Sequence, residues 1–442
     1  MRLMRWRSSF CHNCPSTFSR GQIKFLVSYL VIYMFAILYC RWHFYRDPGS
    51  FFFDPEEGYR PLYSLKRVEQ ARSFIRLASN GSIPAPVPHL GDSDDGHDDA
   101  EAADVEKTMC IGMATVKRPF RQYVDVSLGS LLADLTPDER ANVSVNLLFA
   151  HTDPKIHPFF KAPWVPVVVD NVLTYENVGY KLPSVRRLER ERRTEEKRLF
   201  DYRFLLKSCY ELTDAQWIAI LDDDVLAQEG WYGRTMQALG KIQSQKKNGN
   251  SGRDWLYLRL FYTENFMGWN KEDWRGYLFW SLVAVSVPAL GGLFLRRKIP
   301  SLQNTLSNPL LAAVSLVCVP AAIILYFLAG RISVQPMRYG VHPTDQFTCC
   351  PQGLVFPREI VPRLIHGLGQ TVPQTRAVDS AIEEWADGEG LERWALVPSA
   401  VQHIGRETYR KETGDPREKF ELGGANGLWN FRFELHERGT RG

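Results

Sequence analysis

The sequence predicts an α/β domain that is interrupted by a transmembrane hairpin and preceded by an N-terminal transmembrane signal anchor. Three observations predict this architecture. Short apolar runs alternate with helical patterns over much of the chain, as in βαβ units. Three apolar stretches, 23–40, 276–295 and 309–330, are each long enough to cross a bilayer. A buried-strand signal, Trp217–Leu221, leads directly into three carboxylates, 222–224, at the position where an α/β sheet binds ligands.

Composition limits the class of protein. The chain has 442 residues, which is enough for one large domain or two ordinary ones. Hydrophobic residues make up 45% of it and there are 12 tryptophans, so we expect a packed core. The net charge of +4 is small and spread along the chain, so nucleic acid is not an expected partner. Eight cysteines in this length do not indicate a disulfide scaffold.

The N-terminal pattern predicts a cytoplasmic tail and an uncleaved anchor. Residues 1–22 should stay in the cytosol, because the first part of the chain is rich in arginine and lacks acids. Residues 23–40 form the predicted membrane segment. A cleaved signal peptide is the rival interpretation, but its apolar core would be shorter and small residues would follow it. The aromatic and basic run 41–45 follows instead, which is typical of a membrane interface.

Residues 41–107 are predicted to form a lumenal stem. A short helix is expected at 69–79, and three prolines follow it. The stretch 91–99 is acidic and poor in apolar residues, so it favours a solvated linker over a calcium site.

The first part of the folded domain is predicted to span 108–275. The predicted strands are 108–115, 143–150, 165–169, 217–221 and 255–261, and the predicted helices are 123–135, 182–210 and 230–239. Gly240 is expected to cap the last of these helices. The long helix 182–210 is highly charged, and opposite charges at helical spacing favour a solvated surface over a basic patch for an acidic partner.

The predicted transmembrane hairpin occupies residues 276–330. Its two membrane segments flank the basic triplet 296–298, which should lie in the cytosol with the N-terminal tail. Two independent charge signals therefore predict a chain that leaves the lumen and returns to it. Fully buried core helices are the alternative, but they are rarely so long or so free of charge.

Residues 331–442 are expected to complete the lumenal domain. Their predicted elements are a strand within 347–356, a helix at 378–385 and a strand-like segment at 394–405. In an oxidising lumen Cys349 and Cys350 could pair with each other, pair with Cys110 or Cys209, or stay free.

Several residues suit the transfer of a sugar from a nucleotide donor. That chemistry needs a cation for the leaving diphosphate, groups that hold the nucleotide, and a general base if the configuration inverts. The adjacent carboxylates 222–224 repel one another and so favour Mg²⁺ or Mn²⁺, although a solvated acidic turn is the simpler alternative. Thr115, Lys117 and Arg118 follow the first strand and can contact nucleotide and phosphate. A solvated basic loop is the alternative role of Lys117 and Arg118.

Two further positions are candidates for catalysis and metal binding. Asp379 and Glu383 lie four residues apart on one face of a predicted helix, so either could be the general base. A helix cap and an exposed acid are their alternative roles. His403, from the far end of the domain, could be a further metal ligand, although a lone histidine is more often structural.

The motifs resemble those of known glycosyltransferases. The stretches 111–118, 221–224 and 401–405 resemble the N-acetylglucosaminyltransferase IV family, which has the GT-A (Rossmann-like) fold with a DxD motif after a strand. That family lacks a membrane hairpin inside its domain. With the hairpin, the chain resembles the post-GPI-attachment-to-proteins factor 4 family over about residues 108–410. Members of that family are Golgi enzymes that transfer N-acetylgalactosamine to the mannose of GPI anchors.

The resemblance implies a function and a set of site residues. It implies a UDP-sugar donor, Mn²⁺ (or Mg²⁺), an inverting transfer to a GPI glycan, and a multi-pass Golgi protein with a lumenal catalytic domain. Carried onto this chain, Asp222 and Asp224 hold the metal, and His403 completes its shell. Asp222 and Asp223 then contact the nucleotide together with the residues after the first strand.

The same resemblance makes Asp379 the first candidate for the base and Glu383 the second. This chain has three aspartates where the family pattern is looser, so which pair contacts the metal stays open. Two other functions also stay open. One is an N-glycan branching transferase, for which the hairpin is dispensable and the acceptor soluble. The other is a membrane scaffold without catalysis.

Overall fold

The computed structural model describes residues 18–83, 107–247, 254–344, 350–370, 377–405 and 428–436. The chain forms two compact units. The membrane unit contains residues 1–58 and 267–336, and the sheet unit contains residues 59–266 and 337–442.

The helices and strands alternate in the order expected for an α/β chain. The α-helices are α1 (Arg20–His43), α2 (Pro55–Gly58), α3 (Tyr63–Ser79), α4 (Val124–Leu132), α5 (Pro137–Ala141), α6 (Val165–Val168), α7 (Leu182–Arg190), α8 (Thr194–Leu212), α9 (Trp231–Lys247), α10 (Trp274–Lys298), α11 (Asn308–Ala313), α12 (Val319–Leu328), α13 (Arg331–Val334), α14 (Val361–Gln370) and α15 (Val378–Glu389). The strands are β1 (Met109–Thr115), β2 (Val143–Phe149), β3 (Asn171–Leu173), β4 (Trp217–Asp222), β5 (Val225–Ala227), β6 (Trp255–Arg259), β7 (Gly340–Pro343), β8 (Gly353–Pro357), β9 (Glu392–Val397) and β10 (Val401–His403).

The membrane unit contains three helices that are long and apolar enough to cross a membrane. They are Arg20–His43, Trp274–Lys298 and Asn308–Leu328, which confirms helices at the three predicted membrane segments. Within the unit, Tyr29 Oη donates a hydrogen bond to the Cys318 carbonyl (2.5 Å).

The sheet unit is built on an eight-stranded mixed sheet, with strand order β3-β2-β1-β4-β8-β6-β9-β7. The strands β1, β2, β3 and β4 run parallel, whereas β8 is antiparallel to both β4 and β6. In the pairing of β1 with β4, Ala114 lies opposite Asp222, so these two strands end at the same edge. A separate antiparallel pair joins β5 to β10 and places His403 opposite Val225.

Buried side chains cover both faces of this sheet. One apolar cluster joins the odd-numbered residues of β1 to α4 and α9, and a second joins the opposite face to α8, α14 and α15. Gly112 on β1 lets the Ile220 side chain on β4 pack close to the backbone, because a Cβ at position 112 would lie 2.8 Å from Ile220 Cδ1. A disulfide joins Cys110 on β1 to Cys209 on α8, with a Cα–Cα distance of 5.7 Å. The sheet is therefore a central layer between two helical layers.

The structure shows which of the described cysteines near the sheet form disulfides. The two cysteines considered as partners elsewhere, Cys110 and Cys209, pair with each other. Cys350 is also disulfide-bonded. Cys349 lies outside the described residues, as does the acidic stretch 91–99.

The prediction of a strand at 165–169 is wrong. Val165–Val168 is a short helix, and the third strand is Asn171–Leu173. Pro166 has no N–H for a strand ladder, and the buried residues Val165 and Val168 follow helical rather than alternating spacing.

The helix boundaries differ from the predictions at three places. The helix predicted at 182–210 is two helices, and Arg192, with φ of 55°, follows the end of α7 in a left-handed conformation. Helix α9 passes through Gly240 instead of ending there, because the buried face continues at Ile242. Helix α3 begins at Tyr63, before the predicted start of the stem helix.

Helix α3 lies within the predicted stem and groups with the sheet unit, and its residues Arg67 and Ala71 are fully buried. The segment predicted as one strand at 394–405 divides at Pro398, where a ladder donor is missing. The residues after this proline form β10 and pair with β5.

Candidate active site

The candidate site lies at the carboxyl ends of β1 and β4. Thr115 is the last residue of β1, and Asp222 is the last residue of β4. Asp223 and Asp224 form the short connection from β4 to β5. Because β10 pairs with β5, His403 arrives at the same place from a distant part of the sequence. The fold thus brings together the residues predicted from three separate motifs.

Asp223 is buried and fully engaged by residues that follow β1. Thr115 Oγ1 donates a hydrogen bond to Asp223 Oδ2 (2.7 Å), and Arg118 Nη2 forms an ion pair with Asp223 Oδ1. Ser127 Oγ, on α4, donates to the Asp223 carbonyl oxygen at 2.9 Å. Burial raises the pKa of Asp223, although Arg118 opposes that rise.

Asp224 lies between two cationic side chains. Its Oδ2 is 3.0 Å from Arg118 Nη1 and 3.4 Å from His403 Nε2. Burial disfavours ionisation of Asp224, but His403 and Arg118 outweigh burial and hold the pKa of this carboxyl well below its usual range. Burial likewise opposes the charged form of His403, yet Asp224 raises the pKa of the imidazole. Each of these two groups therefore favours the charged form of the other.

His403 and Gly405 lie close to the carboxylate of Asp224. His403 is 8% exposed, and its Nδ1 has no hydrogen-bond partner among the described residues. A Cβ at Gly405 would overlap the Asp224 carboxylate and lie 3.0 Å from His403 Nε2. Only glycine allows the backbone this close to the carboxylate.

Asp222 is the most open of the three aspartates, with a side chain that is 31% exposed. Its Oδ2 lies 4.0 Å from Arg198 Nη2 on α8, and its backbone N–H donates to the Gln352 carbonyl at 3.1 Å. Burial raises the pKa of Asp222 to about 6, with a smaller opposing effect of Arg198. The neighbouring charges of Asp223 and Asp224 add to the rise.

Two histidines that the sequence analysis did not select also lie at this edge. His157 Nε2 is 3.2 Å from Thr115 Oγ1, and His151 Nε2 accepts a hydrogen bond from the Lys117 backbone N–H (2.8 Å). Burial lowers the pKa of each to about 4, so both imidazoles are neutral near pH 7. His151 comes two residues after β2, a position that indicates the binding edge of a parallel sheet. The Lys117 side chain is exposed.

The two candidate bases on α15 have different surroundings. Asp379 is half-buried and accepts hydrogen bonds from the backbone N–H groups of Cys350 (3.3 Å) and Ser380 (2.8 Å). The segment that begins at Cys350 also contains Gln352, which accepts from the Asp222 N–H. This segment links Asp379 to the end of β4.

Glu383 is held by three side chains. It accepts hydrogen bonds from Tyr257 Oη (2.5 Å), Arg259 Nη2 (3.2 Å) and Arg393 Nη1 (2.6 Å). The guanidinium groups of Arg259 and Arg393 are almost fully buried. Glu383 therefore balances buried charge inside the sheet unit.

Few side chains at this site could bind a metal ion. Among the described residues, no group of three or more His, Cys, Asp or Glu side chains is arranged to hold a metal ion. Asp224 and His403 still offer one carboxylate and one imidazole side by side, and the imidazole has an orphaned nitrogen. Ions such as Mg²⁺ are commonly held by one or two protein ligands together with substrate phosphates and water. Two such side chains could hold an ion only together with ligands from outside the chain.

Comparison with known proteins identifies the family. A family model described as GPI-N-acetylgalactosamine transferase PGAP4 matches residues 109–402. No curated protein matches the chain. The matched region begins at β1, includes the aspartates 222–224 and the segments of the membrane hairpin, and ends one residue before His403. Because the match covers more than half of the sequence, the chain belongs to the GPI-N-acetylgalactosamine transferase PGAP4 family.

Proposed function

We propose that this protein transfers N-acetylgalactosamine from UDP-N-acetylgalactosamine to the mannose of a GPI glycan, with inversion and with the help of a divalent metal ion. The match to the family model is the main support for this proposal. The side chains clustered at the ends of β1, β4 and β10 supply the groups that such a reaction needs. Membership of this family favours GPI over an N-glycan as the acceptor.

The donor nucleotide would lie over the carboxyl ends of β1 and β4. Thr115 ends β1 and Lys117 and Arg118 follow it, and a guanidinium matches the geometry of phosphate oxygens. Asp222 and Asp223 would face the nucleotide, and Asp222 has the more exposed carboxylate. This is the edge at which open α/β sheets bind nucleotides.

Asp224 and His403 would hold the metal ion, and Asp222 would be a further candidate ligand. Mn²⁺ or Mg²⁺, when bound, would neutralise the charge that develops on the leaving diphosphate. Gly405 leaves no space for a side chain against Asp224, so it fixes the direction in which this carboxylate can face.

Asp379 is the favoured general base. In an inverting transfer the acceptor hydroxyl oxygen bonds to the anomeric carbon, the bond from that carbon to the UDP oxygen breaks with its electron pair going to UDP, and the base takes the hydroxyl proton. Asp379 is half-buried and accepts only backbone hydrogen bonds among those described for it. Glu383 is a weaker candidate, because Arg259 and Arg393 engage its carboxylate.

The transmembrane helices suit an acceptor that is anchored in a membrane. With the basic triplet 296–298 in the cytosol, the sheet unit would face the Golgi lumen. Deleting residues 276–330 should reduce transfer to membrane-embedded GPI more than transfer to a soluble GPI-glycan fragment. Unchanged activity on the embedded acceptor would contradict this role of the hairpin.

The proposal is tested with the purified full-length chain in detergent. UDP-N-acetylgalactosamine, UDP-N-acetylglucosamine and UDP-galactose are each supplied with a GPI-glycan or an N-glycan acceptor, with and without Mn²⁺. We expect metal-dependent transfer of N-acetylgalactosamine to the GPI glycan, and its loss in Asp224→Ala. Asp138→Asn is the matched control, since Asp138 is an exposed aspartate on α5. Transfer to the N-glycan alone, or no donor turnover at all, would overturn the proposal.

A further inference from the structure

Arg118 forms a bridge between two of the site carboxylates. Its side chain is 7% exposed, with Nη2 paired to Asp223 Oδ1 and Nη1 lying 3.0 Å from Asp224 Oδ2. The guanidinium also lies over the ring of Tyr123, with 5.0 Å between Cζ and the ring centroid. One internal cation thus pairs with two adjacent buried carboxylates.

The loop after β1 holds the backbone of Arg118. The Arg118 N–H donates to Gln122 Oε1 (3.1 Å), and Gln122 Nε2 donates back to the Arg118 carbonyl (2.8 Å). The backbone is therefore fixed, while the long side chain retains several rotatable bonds. A change in the position of the guanidinium does not require the loop to move.

The same carboxylate oxygen lies beside a guanidinium and an imidazole. Asp224 Oδ2 is 3.0 Å from Arg118 Nη1 and 3.4 Å from His403 Nε2. A divalent cation held at Asp224 and His403 would meet the positive charge of the guanidinium at short range. A diphosphate removes this conflict, because its oxygens bind a guanidinium in a bidentate manner and also bind the cation.

We propose that Arg118 is an exchangeable counter-ion, which pairs with Asp223 and Asp224 in the donor-free protein and moves to the diphosphate when the donor binds. This inference rests on the proposed function. Its consequence is that a divalent cation and a nucleotide diphosphate bind interdependently, each raising the affinity for the other by the same factor. A permanent salt bridge would leave only the coupling that arises when the diphosphate itself binds the ion, and that coupling would not depend on Arg118.

Mn²⁺ binding to the purified full-length chain tests the inference without measuring transfer. Free Mn²⁺ is followed by electron paramagnetic resonance during titration, with and without UDP as the diphosphate probe. For the wild type, UDP should tighten Mn²⁺ binding on the order of tenfold. Arg118→Gln should tighten Mn²⁺ binding in the absence of UDP and reduce the effect of UDP to less than about threefold.

Two further variants keep the test decisive. Arg140→Gln is the matched control, because Arg140 also pairs with a carboxylate, that of Asp170 at 3.0 Å, and donates to the carbonyls of Val143 and Val168 outside the site. It should bind Mn²⁺ as the wild type does. Arg118→Lys preserves the buried charge and therefore the fold, but it lacks the bidentate fork, so the effect of UDP should be reduced in it as well.

The outcomes separate this inference from the proposed function. Equal Mn²⁺ affinity with and without UDP in the wild type would overturn the exchange, even if transfer is metal-dependent. Unchanged Mn²⁺ affinity in Arg118→Gln would overturn it as well. Failure of the wild type to bind UDP or Mn²⁺ under any condition would overturn both the exchange and the proposed function.

Discussion

Replacing Gln402 by methionine tests whether the C-terminal segment 428–436 holds β10 in place. The side chain of Gln402 is fully buried, and its amide makes a reciprocal pair with the backbone of Asn430. Nε2 donates to the Asn430 carbonyl at 2.9 Å, and Oε1 accepts from the Asn430 N–H at 3.0 Å. A third bond runs from Nε2 to Glu434 Oε1 at 3.3 Å.

Methionine fills the same volume but leaves the Asn430 N–H and carbonyl buried without partners. Each unsatisfied buried group costs about 1–3 kcal/mol, so the free energy of unfolding should fall by about 2–6 kcal/mol. At an unfolding entropy of about 2.1 cal/mol/K per residue, 1 kcal/mol shifts the Tm of the sheet unit by about 1.5 °C, so the Tm should fall by at least about 3 °C. Because His403 follows Gln402 directly, transfer per folded molecule should fall too.

Thermal unfolding followed by intrinsic fluorescence measures the stability change, and the donor assay measures the change at the site. Gln245→Met is the matched control, because Gln245 is exposed on α9 and its replacement should shift stability by less than about 0.5 kcal/mol. A Tm of Gln402→Met equal to that of Gln245→Met would refute the reasoning, because segment 428–436 would then contribute nothing to β10.

Three further predictions follow from the same contacts. Because the pKa of Asp222 is raised to about 6, the native state binds more protons than the unfolded chain between about pH 4 and 6, and stability falls as pH rises through that window. Asp222→Asn should remove this fall in a series of Tm measurements at different pH values. A fall that persists in the variant would contradict the prediction. Replacing Cys110 and Cys209 by alanine should lower stability by about 4 kcal/mol in chemical unfolding, because the bond closes a loop of 99 residues; an unchanged midpoint would contradict this. Glu383→Gln should lower the free energy of unfolding by about 3 kcal/mol, because it leaves the buried Arg259 and Arg393 without a charged partner. Asp379→Asn should lower kcat with little change in Tm. A loss of kcat without a loss of stability in Glu383→Gln, and the opposite in Asp379→Asn, would exchange their roles.

Local sequence patterns predicted much of the sheet and the membrane segments. The strands β1, β2, β4 and β6 are mostly apolar and buried along almost their whole length, as expected for strands covered on both faces. The pattern failed at 165–169, because an apolar run of five residues does not distinguish a strand from one helical turn. The pairing of β10 with β5 could not be predicted, since no local pattern records which strand is the partner.

The candidate site was predicted less completely than the fold. Asp223, Asp224, Thr115 and Arg118 could be proposed because each follows a strand at the binding edge. His157 carried no such signal, because it lies in a loop eight residues after β2, and its contact with Thr115 depends on how that loop folds back.

The role of Glu383 was hidden for a related reason. Spacing on α15 placed Glu383 on one face with Asp379, and this made both candidates for a base. The partners of Glu383 are Arg259 on β6 and Arg393 on β9, two strands that pair with each other. Helical spacing shows which residues share a face, but it does not show which charges the neighbouring strands present to that face.

More than one kind of cation can balance the adjacent carboxylates 222–224. The chain itself places Arg118 beside Asp223 and Asp224, and His403 beside Asp224. These contacts offset part of the cost of burying the two carboxylates. Under the proposed exchange, the diphosphate would replace the carboxylates as the partner of Arg118. The affinity for the donor should therefore depend on the strength of this ion-pair network as much as on the nucleotide contacts.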